Sequence, residues 1–144
     1  MITPPNIPAP LCRKLERAAR AAAKESYSPY SKFRVGAALL AGSGKIYSGT
    51  NVENASYGLC NCAERTAVFA AVAAGERHVE AVAVYTPTSS PTPPCGACRQ
   101  VINEFGPSAL IISVCNGKDR LEFPLSQLLP AAFGPNNLHH RRPQ

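Results

Sequence analysis

The sequence predicts a single-domain α/β protein, and three observations lead to this prediction. The chain has 144 residues, enough for one domain that buries a core without disulfide support. Its apolar pattern starts with helical spacing, continues with two strand-like runs and then alternates between helix and strand. Neither an internal repeat nor a linker interrupts this order, so we expect one domain over residues 1–144.

The first half of the chain predicts one helix followed by a β-hairpin. Apolar residues recur at helical spacing over residues 11–24, and the Pro-containing segment 27–31 ends this helix. Residues 33–40 and 45–52 have the composition of strands, and the Gly-containing segment 41–44 predicts a tight turn between them.

The second half of the chain predicts helices and strands in alternation. In order, we expect a helix over 62–74, a strand over 79–85, an irregular loop over 86–94, a helix over 96–105, strands over 110–114 and 121–123, and a short helix over 125–129. Residues from Pro130 onward indicate a tail. We expect 1–10 and 139–144 to be flexible.

Composition excludes several classes of protein. No apolar run approaches the ~20 residues that a helix needs to cross a bilayer, so we expect no membrane partner. Residues 1–10 are rich in proline and lack the basic start and apolar stretch of a signal peptide. The expected compartment is therefore the cytoplasm, with the nucleus as the alternative. There the six cysteines are expected to be metal ligands or buried side chains rather than disulfides.

The formal net charge of +6 raises the question of nucleic acid binding. Much of the excess comes from the first predicted helix and the tail, at Arg13, Lys14, Arg17, Arg20, Lys24, Arg141 and Arg142. On an amphipathic helix such residues form a solvated face, so we expect no specific nucleic acid partner. Electrostatic capture of RNA or DNA is the alternative.

Three cysteines and one glutamate carry the strongest functional signal. Cys62 begins a Cys-Ala-Glu sequence that ends at Glu64, and Cys95 and Cys98 belong to a Pro-Cys-Gly-Ala-Cys sequence. Three thiolates can hold a zinc ion with the fourth coordination position open, which is typical of a catalytic site. A carboxylate two residues from a ligand can transfer protons there. This pattern is a signature of zinc-dependent base deaminases.

The predicted helices bring these cysteines to helix N-termini. Cys62 lies at the start of one helix, and Cys95 and Cys98 lie at the start of another. Unpaired N–H groups and a partial positive charge at these ends favour thiolate over thiol, so we expect the two ends to meet at the metal. Two alternatives remain: a closed zinc site with Cys60 as a fourth ligand, and a disulfide between two of the cysteines.

Arg65 is the expected partner of a ligand sulfur. Zinc with three thiolates carries a net charge of −1, which weakens its effect on a bound water molecule. Arg65 lies three residues after Cys62 on the same predicted helix, and a guanidinium that donates to a thiolate would withdraw charge. The alternative is a surface arginine that pairs with Glu76 or Glu104.

Five ordered sequence blocks resemble the cytidine deaminases of the small, homotetrameric, three-cysteine type, over about 27–138. The blocks are Phe33-Arg34-Val35-Gly36-Ala37-Ala38-Leu39, Asn51-Val52-Glu53-Asn54-Ala55, Cys62-Ala63-Glu64-Arg65-Thr66-Ala67, Pro94-Cys95-Gly96-Ala97-Cys98-Arg99-Gln100, and Leu128-Leu129-Pro130 with Phe133-Gly134-Pro135. The resemblance implies a three-layer α/β/α fold with a mixed central sheet of about five strands. It also implies one Zn²⁺ per subunit, bound by the three cysteines, with Glu64 as the proton shuttle.

The resemblance further implies how a nucleoside is bound. Phe33 would pack on the pyrimidine ring, Asn51 and Glu53 would bind ribose hydroxyls, and the backbone N–H of Ala63 would donate to the pyrimidine O2. Taken without the resemblance, these residues leave purely structural alternatives open, namely Phe33 as a core side chain and Asn51 as the end of a strand. Pro93 stands where the family usually has serine.

The family's assembly implies active sites shared between the subunits of a homotetramer. Ala55, Tyr57 and Phe133 match positions that reach into a neighbouring subunit's site. For Phe133 the alternative is that the ring folds back on its own core.

The implied activity is the zinc-dependent hydrolysis of cytidine and deoxycytidine to uridine and deoxyuridine, with release of ammonia, in pyrimidine salvage. An RNA-editing cytosine deaminase and a zinc-dependent adaptor without chemistry are the alternatives. Glu53 argues against editing, because a carboxylate that binds ribose hydroxyls would repel a 3′ phosphate. Glu64 argues against the adaptor, because it lies where an open coordination position needs a proton carrier.

Overall fold

A five-stranded sheet forms the centre of the molecule, for which a computed structural model describes residues 3–138. The α-helices are α1 (Ala9–Ala23), α2 (Ala63–Ala73), α3 (Gly96–Phe105) and α4 (Leu125–Leu128). The strands are β1 (Gly36–Ala41), β2 (Ile46–Thr50), β3 (Val79–Tyr85), β4 (Leu110–Val114) and β5 (Arg120–Pro124). Short 3₁₀ turns lie at Tyr57–Leu59 and Pro135–Asn137.

The sheet is mixed, as predicted. Its strands lie in the order β2-β1-β3-β4-β5, and only β3 and β4 of these neighbours run parallel. A parallel pair needs a crossover connection, and α3 supplies it between β3 and β4. The predicted hairpin is present as β1 and β2, which pair antiparallel around a tight turn.

Helices cover both faces of the sheet and give the predicted three-layer α/β/α architecture. On one face, Leu15 and Ala19 of α1 pack in one core cluster with Ala38 and other alternate strand residues. On the opposite face a second cluster joins α2, α3 and α4 to the other set of strand residues, such as Leu39. Strand β1 is therefore buried along its whole length, as strands between two helical layers are.

Two glycines allow the helices to approach the sheet closely. A Cβ atom added at Gly36 would lie 1.9 Å from the carbonyl oxygen of Ala19 in α1. A Cβ atom added at Gly49 would lie 2.3 Å from the backbone nitrogen of Ala67 and 2.4 Å from the carbonyl oxygen of Ala63, both in α2. Helix α2, which follows Cys62 directly, can therefore lie this close to β2 only because residue 49 is a glycine.

The first predicted strand starts too early. It was expected to begin at Phe33, but β1 begins at Gly36. The amide of Asn51 binds the backbone before that point, since its Oδ1 accepts from the N–H of Val35 at 2.9 Å and its Nδ2 donates to the carbonyl of Phe33 at 2.7 Å. The side chain of Asn51 therefore pairs with backbone groups that would otherwise pair with a neighbouring strand.

The first helix begins earlier than predicted. Helix α1 starts at Ala9 rather than at Leu11, and Ile7 packs against the cluster beneath α1. The flexibility expected for 1–10 stays a prediction. Pro10 fits in the first turn of this helix because its missing N–H would have no intrahelical partner there. Beyond the predicted tail start at Pro130, the chain forms the turn Pro135–Asn137. The expected flexibility of 139–144 lies outside the described residues.

The other predicted elements are found close to their expected bounds. Strands 79–85 and 110–114 and the helix 96–105 have the predicted ends, whereas β5 is two residues longer than predicted. The turn at Tyr57–Leu59 was not predicted. Within residues 3–138, no helix combines the length and apolarity that crossing a membrane requires.

Candidate active site

Three thiols from two helix N-termini meet in one cluster. Cys62 is the residue directly before α2, Cys95 is the residue directly before α3, and Cys98 lies in the first turn of α3. Their three Sγ atoms all lie within 4.8 Å of one another, and those of Cys62 and Cys95 are 3.9 Å apart. The two helix ends therefore converge as the sequence predicted.

This cluster has the dimensions of a zinc site. Two ligands about 2.3 Å from a tetrahedral zinc are separated by roughly 3.8 Å, close to the observed distance between Cys62 and Cys95. Cys60 is not part of the cluster, because its thiol contacts the backbone N and O of Asn54 at 3.3 and 3.7 Å. A closed four-cysteine site does not fit these positions. The set of three soft sulfur ligands fits one Zn²⁺ with a free coordination position.

The thiols are free to serve as ligands. All six cysteines lie within the described residues, and none is in a disulfide. A hydrogen bond from Cys98 is the largest influence on Cys62 and lowers its pKa to about 5; burial opposes this shift, and hydrogen bonding to Arg65 adds to it. The same shared bond raises the pKa of Cys98. The cluster thus favours the thiolate form of Cys62.

Arg65 contacts the cluster from α2. Its Nη2 donates to Cys62 Sγ at 3.2 Å, and this bond is the largest cause of a raised pKa for the guanidinium. The alternative pairing with Glu76 is absent, since that carboxylate instead accepts from Ser43 at 2.5 Å and Tyr47 at 3.1 Å. Arg65 Nε is buried without a hydrogen-bond partner, so a second donor of the guanidinium is unused. Its role in balancing charge stays a prediction.

Glu64 is a buried carboxyl group at the cluster. Only 5% of the residue is exposed, and its Oε2 accepts a long hydrogen bond of 3.6 Å from Cys98 Sγ. Burial raises the pKa of Glu64 above its usual range, because removal from water disfavours the charged form. A raised pKa suits a carboxyl group that must act as both acid and base.

A cavity of about 250 Å³ opens in front of the thiols and Glu64. The predicted substrate-binding residues Phe33, Asn51, Glu53 and Ala63 all line it. The other wall residues are Cys60 and Pro93, which sequence analysis discussed, and six to which it assigned no role: Ser31, Val35, Asn61, Val84, Thr86 and Thr92. Most of them are sequence neighbours of assigned residues, so proximity to Phe33, Cys62 and Cys95 was the signal that could have found them.

Hydrogen bonds fix the wall that carries Phe33. Asn51 holds the backbone of Phe33 and also accepts from Ser26 Oγ at 2.5 Å. Glu53 accepts from the backbone N of Ser31 at 3.2 Å, and Ser31 Oγ in turn accepts from the backbone N of Phe33 at 3.0 Å. Phe33 is 39% exposed and faces the cavity, so it is not a core side chain. Asn51, directly after β2, both ends the strand and borders the cavity.

Ala55, Tyr57 and Phe133 lie outside this cavity. All three are exposed, with 72% of Tyr57 and 59% of Phe133 accessible. Phe133 therefore does not fold back on its own core. Tyr57 packs edge-on against Tyr30, with ring centroids 5.6 Å apart. The described residues of one chain thus leave these aromatic side chains free to meet another molecule, and their roles stay predictions.

Comparison with known proteins gives consistent matches. Residues 12–114 match the family model described as the cytidine and deoxycytidylate deaminase zinc-binding region. The chain is 48% identical over 132 residues to a cytidine deaminase of Sporosarcina psychrophila, which covers 91% of this chain and 97% of that protein. It is 50% identical over 115 residues to a cytidine deaminase of Halalkalibacterium halodurans, which covers 79% of this chain and 87% of that protein.

Solved structures agree with the sequence relatives. The fold is similar to a crystal structure of cytidine deaminase from Burkholderia pseudomallei, with a TM-score of 0.81, 51% identity, and coverage of 84% of this chain and 98% of that chain. Cytidine deaminase from Mycobacterium tuberculosis is similar with a TM-score of 0.74 and 41% identity, over 85% of this chain and 97% of that chain.

Proposed function

This chain belongs to the cytidine and deoxycytidylate deaminase family, and we infer that it hydrolyses cytidine and deoxycytidine to uridine and deoxyuridine with release of ammonia. It is a hydrolytic deaminase with one zinc site per chain. One observation carries this conclusion. The buried carboxyl group of Glu64 lies 3.6 Å from a thiol of the three-cysteine cluster and lines a cavity of about 250 Å³.

The proton transfers of this reaction fall to Glu64. Zinc, when held by Cys62, Cys95 and Cys98, supplies the Lewis acidity that activates water. Glu64 takes a proton from the attacking water and delivers it to N3 of the cytosine ring as oxygen adds to C4. It then takes the proton of the new hydroxyl group on C4 and delivers it to the exocyclic nitrogen, so that the C4–N bond breaks, ammonia leaves and the C4=O bond of the product forms. Its raised pKa suits a group that must both accept and donate protons.

The cavity wall supplies contacts for the rest of the nucleoside. The ring of Phe33 packs on the pyrimidine, and the polar groups of Asn51 and Glu53 bind the ribose hydroxyls. Ala63 donates its backbone N–H to the pyrimidine O2. Ala63 is the first residue of α2, where an N–H group has no acceptor inside the helix and is available to a ligand.

Glu53 favours free nucleosides over polynucleotides. Its carboxylate borders the cavity and is held by Ser31, so a 3′ phosphate next to the ribose would meet negative charge. Family membership supports the same choice of cytidine deamination over RNA editing.

The proposed assembly is a homotetramer with shared active sites. Large apolar side chains stay exposed on the described surface, among them Tyr57, Leu59, Phe69 and Phe133. Such side chains gain little from folding unless a partner covers them. Ala55, Tyr57 and Phe133 each complete the pocket of a neighbouring subunit in this proposal.

The proposed cellular role is pyrimidine salvage in the cytoplasm, with the nucleus as the alternative compartment. The six free thiols are consistent with a reducing compartment. The proposed substrate is a small nucleoside. The proposal includes neither a specific nucleic acid nor a membrane as a partner.

Absorbance near the cytidine band tests the substrate class. Purified protein with zinc is expected to convert cytidine and deoxycytidine at rates typical of enzymes, roughly 1–10³ s⁻¹, and to leave a cytosine-containing oligonucleotide unchanged. Any oligonucleotide binding should weaken steeply between low salt and about 0.15 M salt, as contacts with exposed Lys and Arg do. Conversion of the oligonucleotide with inert cytidine would support editing, and no conversion of either would support an adaptor.

A further inference from the structure

Helix α3 holds the chain segment that ends at Phe133. We call residues 128–134 the C-terminal arm. Arg99 Nη1 donates to the carbonyl oxygen of Leu128 at 2.8 Å, at the start of the arm. Gln100 Nε2 and Asn103 Nδ2 both donate to the carbonyl oxygen of Phe133, at 2.9 and 3.3 Å. Side chains of one helix thus hold both ends of the arm by its main chain.

The two amide donors fix Phe133 by its backbone and leave its ring free. A carbonyl oxygen has two lone pairs, and here both have a donor, so the peptide plane next to Phe133 is restrained from two directions. The ring itself is 59% exposed. Asn103 is buried, with 9% exposure, so loss of this contact would leave a buried amide with one fewer partner.

Local geometry indicates that the arm needs this restraint. Ala131 has a φ of 52°, a left-handed conformation that costs energy for a residue with a side chain. At Gly134, a Cβ atom would lie 3.3 Å from Asn103 Nδ2, so the missing side chain leaves room for the amide. The arm therefore bends at Ala131 and packs closely against α3 at Gly134.

We propose that Gln100 and Asn103 are positioning residues for Phe133, which set the direction of its ring toward the nucleoside bound by a neighbouring subunit. This inference rests on the proposed shared active site. In this proposal α3 contributes to two sites. It follows Cys95 and contains Cys98 at the thiol cluster of its own chain, and it orients the ring of Phe133 toward the site of a neighbouring subunit. Arg99 links the arm to the thiol cluster, since its Nε donates to the carbonyl of Pro94 at 2.8 Å, next to Cys95.

The test compares Gln100→Met with Phe133→Ala and the double variant. Gln100→Met keeps the length of the side chain and removes its hydrogen-bond donor, and Gln100→Glu removes the donor in a second way. Both are expected to raise KM for cytidine roughly 2- to 10-fold, the range for one lost hydrogen bond, with kcat and zinc content nearly unchanged. In the Phe133→Ala background the same change should have no further effect, because the ring to be positioned is gone.

Gln127→Met is the matched control, because Gln127 is an exposed glutamine of α4 next to the arm. Its KM should equal that of the unmodified protein. A raised KM in Phe133→Ala with a normal KM in both Gln100 variants would overturn the positioning role alone. Additive effects of Gln100→Met and Phe133→Ala would also overturn it, in favour of a purely structural anchor. A normal KM in Phe133→Ala would overturn the shared site itself, and the positioning role with it.

Discussion

Glu64 is a carboxyl group that the fold places almost completely out of water. Carboxylates are seldom buried to this degree, since burial of the charged form is costly. Here burial is the largest cause of the raised pKa of Glu64. A buried carboxyl group with a raised pKa beside a metal-binding cluster is typical of a catalytic acid–base, so its chemistry can be tested separately from its contribution to structure.

Glu64→Gln should keep the zinc and the fold but lose activity. The amide has nearly the same shape as the carboxyl group and cannot take up or deliver the protons, so we expect kcat to fall by about 10²–10⁴-fold. Steady-state kinetics with cytidine and elemental analysis for zinc would measure both properties. Glu104→Gln, at an exposed position of α3, is the matched control and should behave as the unmodified protein. A near-normal kcat in Glu64→Gln would show that another group moves the protons.

Measurement of the zinc content distinguishes the three clustered cysteines from Cys60. Replacing Cys62, Cys95 or Cys98 by Ala removes one of three ligands, so each variant should lose zinc and unfold at a lower temperature, because metal binding and folding are coupled. Cys60→Ala should retain one zinc per chain, because that thiol contacts Asn54 rather than the cluster. Loss of zinc in Cys60→Ala would instead identify Cys60 as a fourth ligand.

At the scale of secondary-structure elements, the site depends on where α2 and α3 begin. Cys62 and Cys95 are the residues that precede these two helices, with extended backbone at both positions. The thiols therefore meet only if both helices lie on the same face of the sheet with adjacent N-termini. On that face α2 approaches β2 closely at Gly49, which sets the distance of its first turns from the sheet.

Gly49→Ala should destabilise the protein through this contact. The new methyl group would lie 2.3–2.4 Å from backbone atoms of α2, which cannot move without shifting the helix that carries Glu64. We expect a loss of about 1–3 kcal/mol in the free energy of unfolding, as for overpacked cores, together with weaker zinc binding. Denaturant unfolding of the zinc-loaded protein is the measurement.

Gly58→Ala is the control for that substitution. A Cβ atom at Gly58 would meet nothing within 4 Å, and Gly58 does not have a positive φ, so its stability should stay within about 0.5 kcal/mol of the unmodified protein. Equal stabilities of the Gly49→Ala and Gly58→Ala variants would show that α2 does not need the close approach.

At the scale of the whole molecule, one chain contains the chemistry but leaves part of its apolar surface uncovered. The thiols and Glu64 lie within a single chain, whereas Tyr57 and Phe133 are exposed and do not line that chain's own cavity. An assembly in which each subunit lends these residues to a neighbour would satisfy both facts. It also makes a prediction about mixed oligomers.

Co-refolding Phe133→Ala chains with Glu64→Gln chains should restore part of the activity. If Phe133 completes a neighbour's pocket, as proposed, the first variant damages a neighbour's site and the second damages its own, so some mixed sites would combine an intact Glu64 with an intact Phe133. The measurement is cytidine turnover of the mixture compared with the sum of the separate variants, after subunit exchange has been verified. Activity no higher than that sum would show that Phe133 serves its own chain or none.

The sequence by itself determined the parts of this protein that depend on neighbouring residues. Cys95 and Cys98 are in one short motif, and Cys62 and Glu64 are in another, so their residue types and spacing alone predicted a zinc site with a proton carrier. The helix starting at Gly96 and the strand ending at Tyr85 were predicted with the correct bounds, because apolar periodicity and the flanking Pro and Gly residues are local properties.

Only the tertiary structure decided what depends on residues far apart in the chain. It brought the Sγ atom of Cys62 to within 3.9 Å of Cys95 Sγ, and it placed Ser43 and Tyr47 on the carboxylate of Glu76. It also shortened β1, because the amide of Asn51 binds the backbone before that strand. The side-chain contacts that decide these arrangements form when helices pack on both faces of a sheet, and no local pattern in the sequence encodes which distant partner a polar group will find.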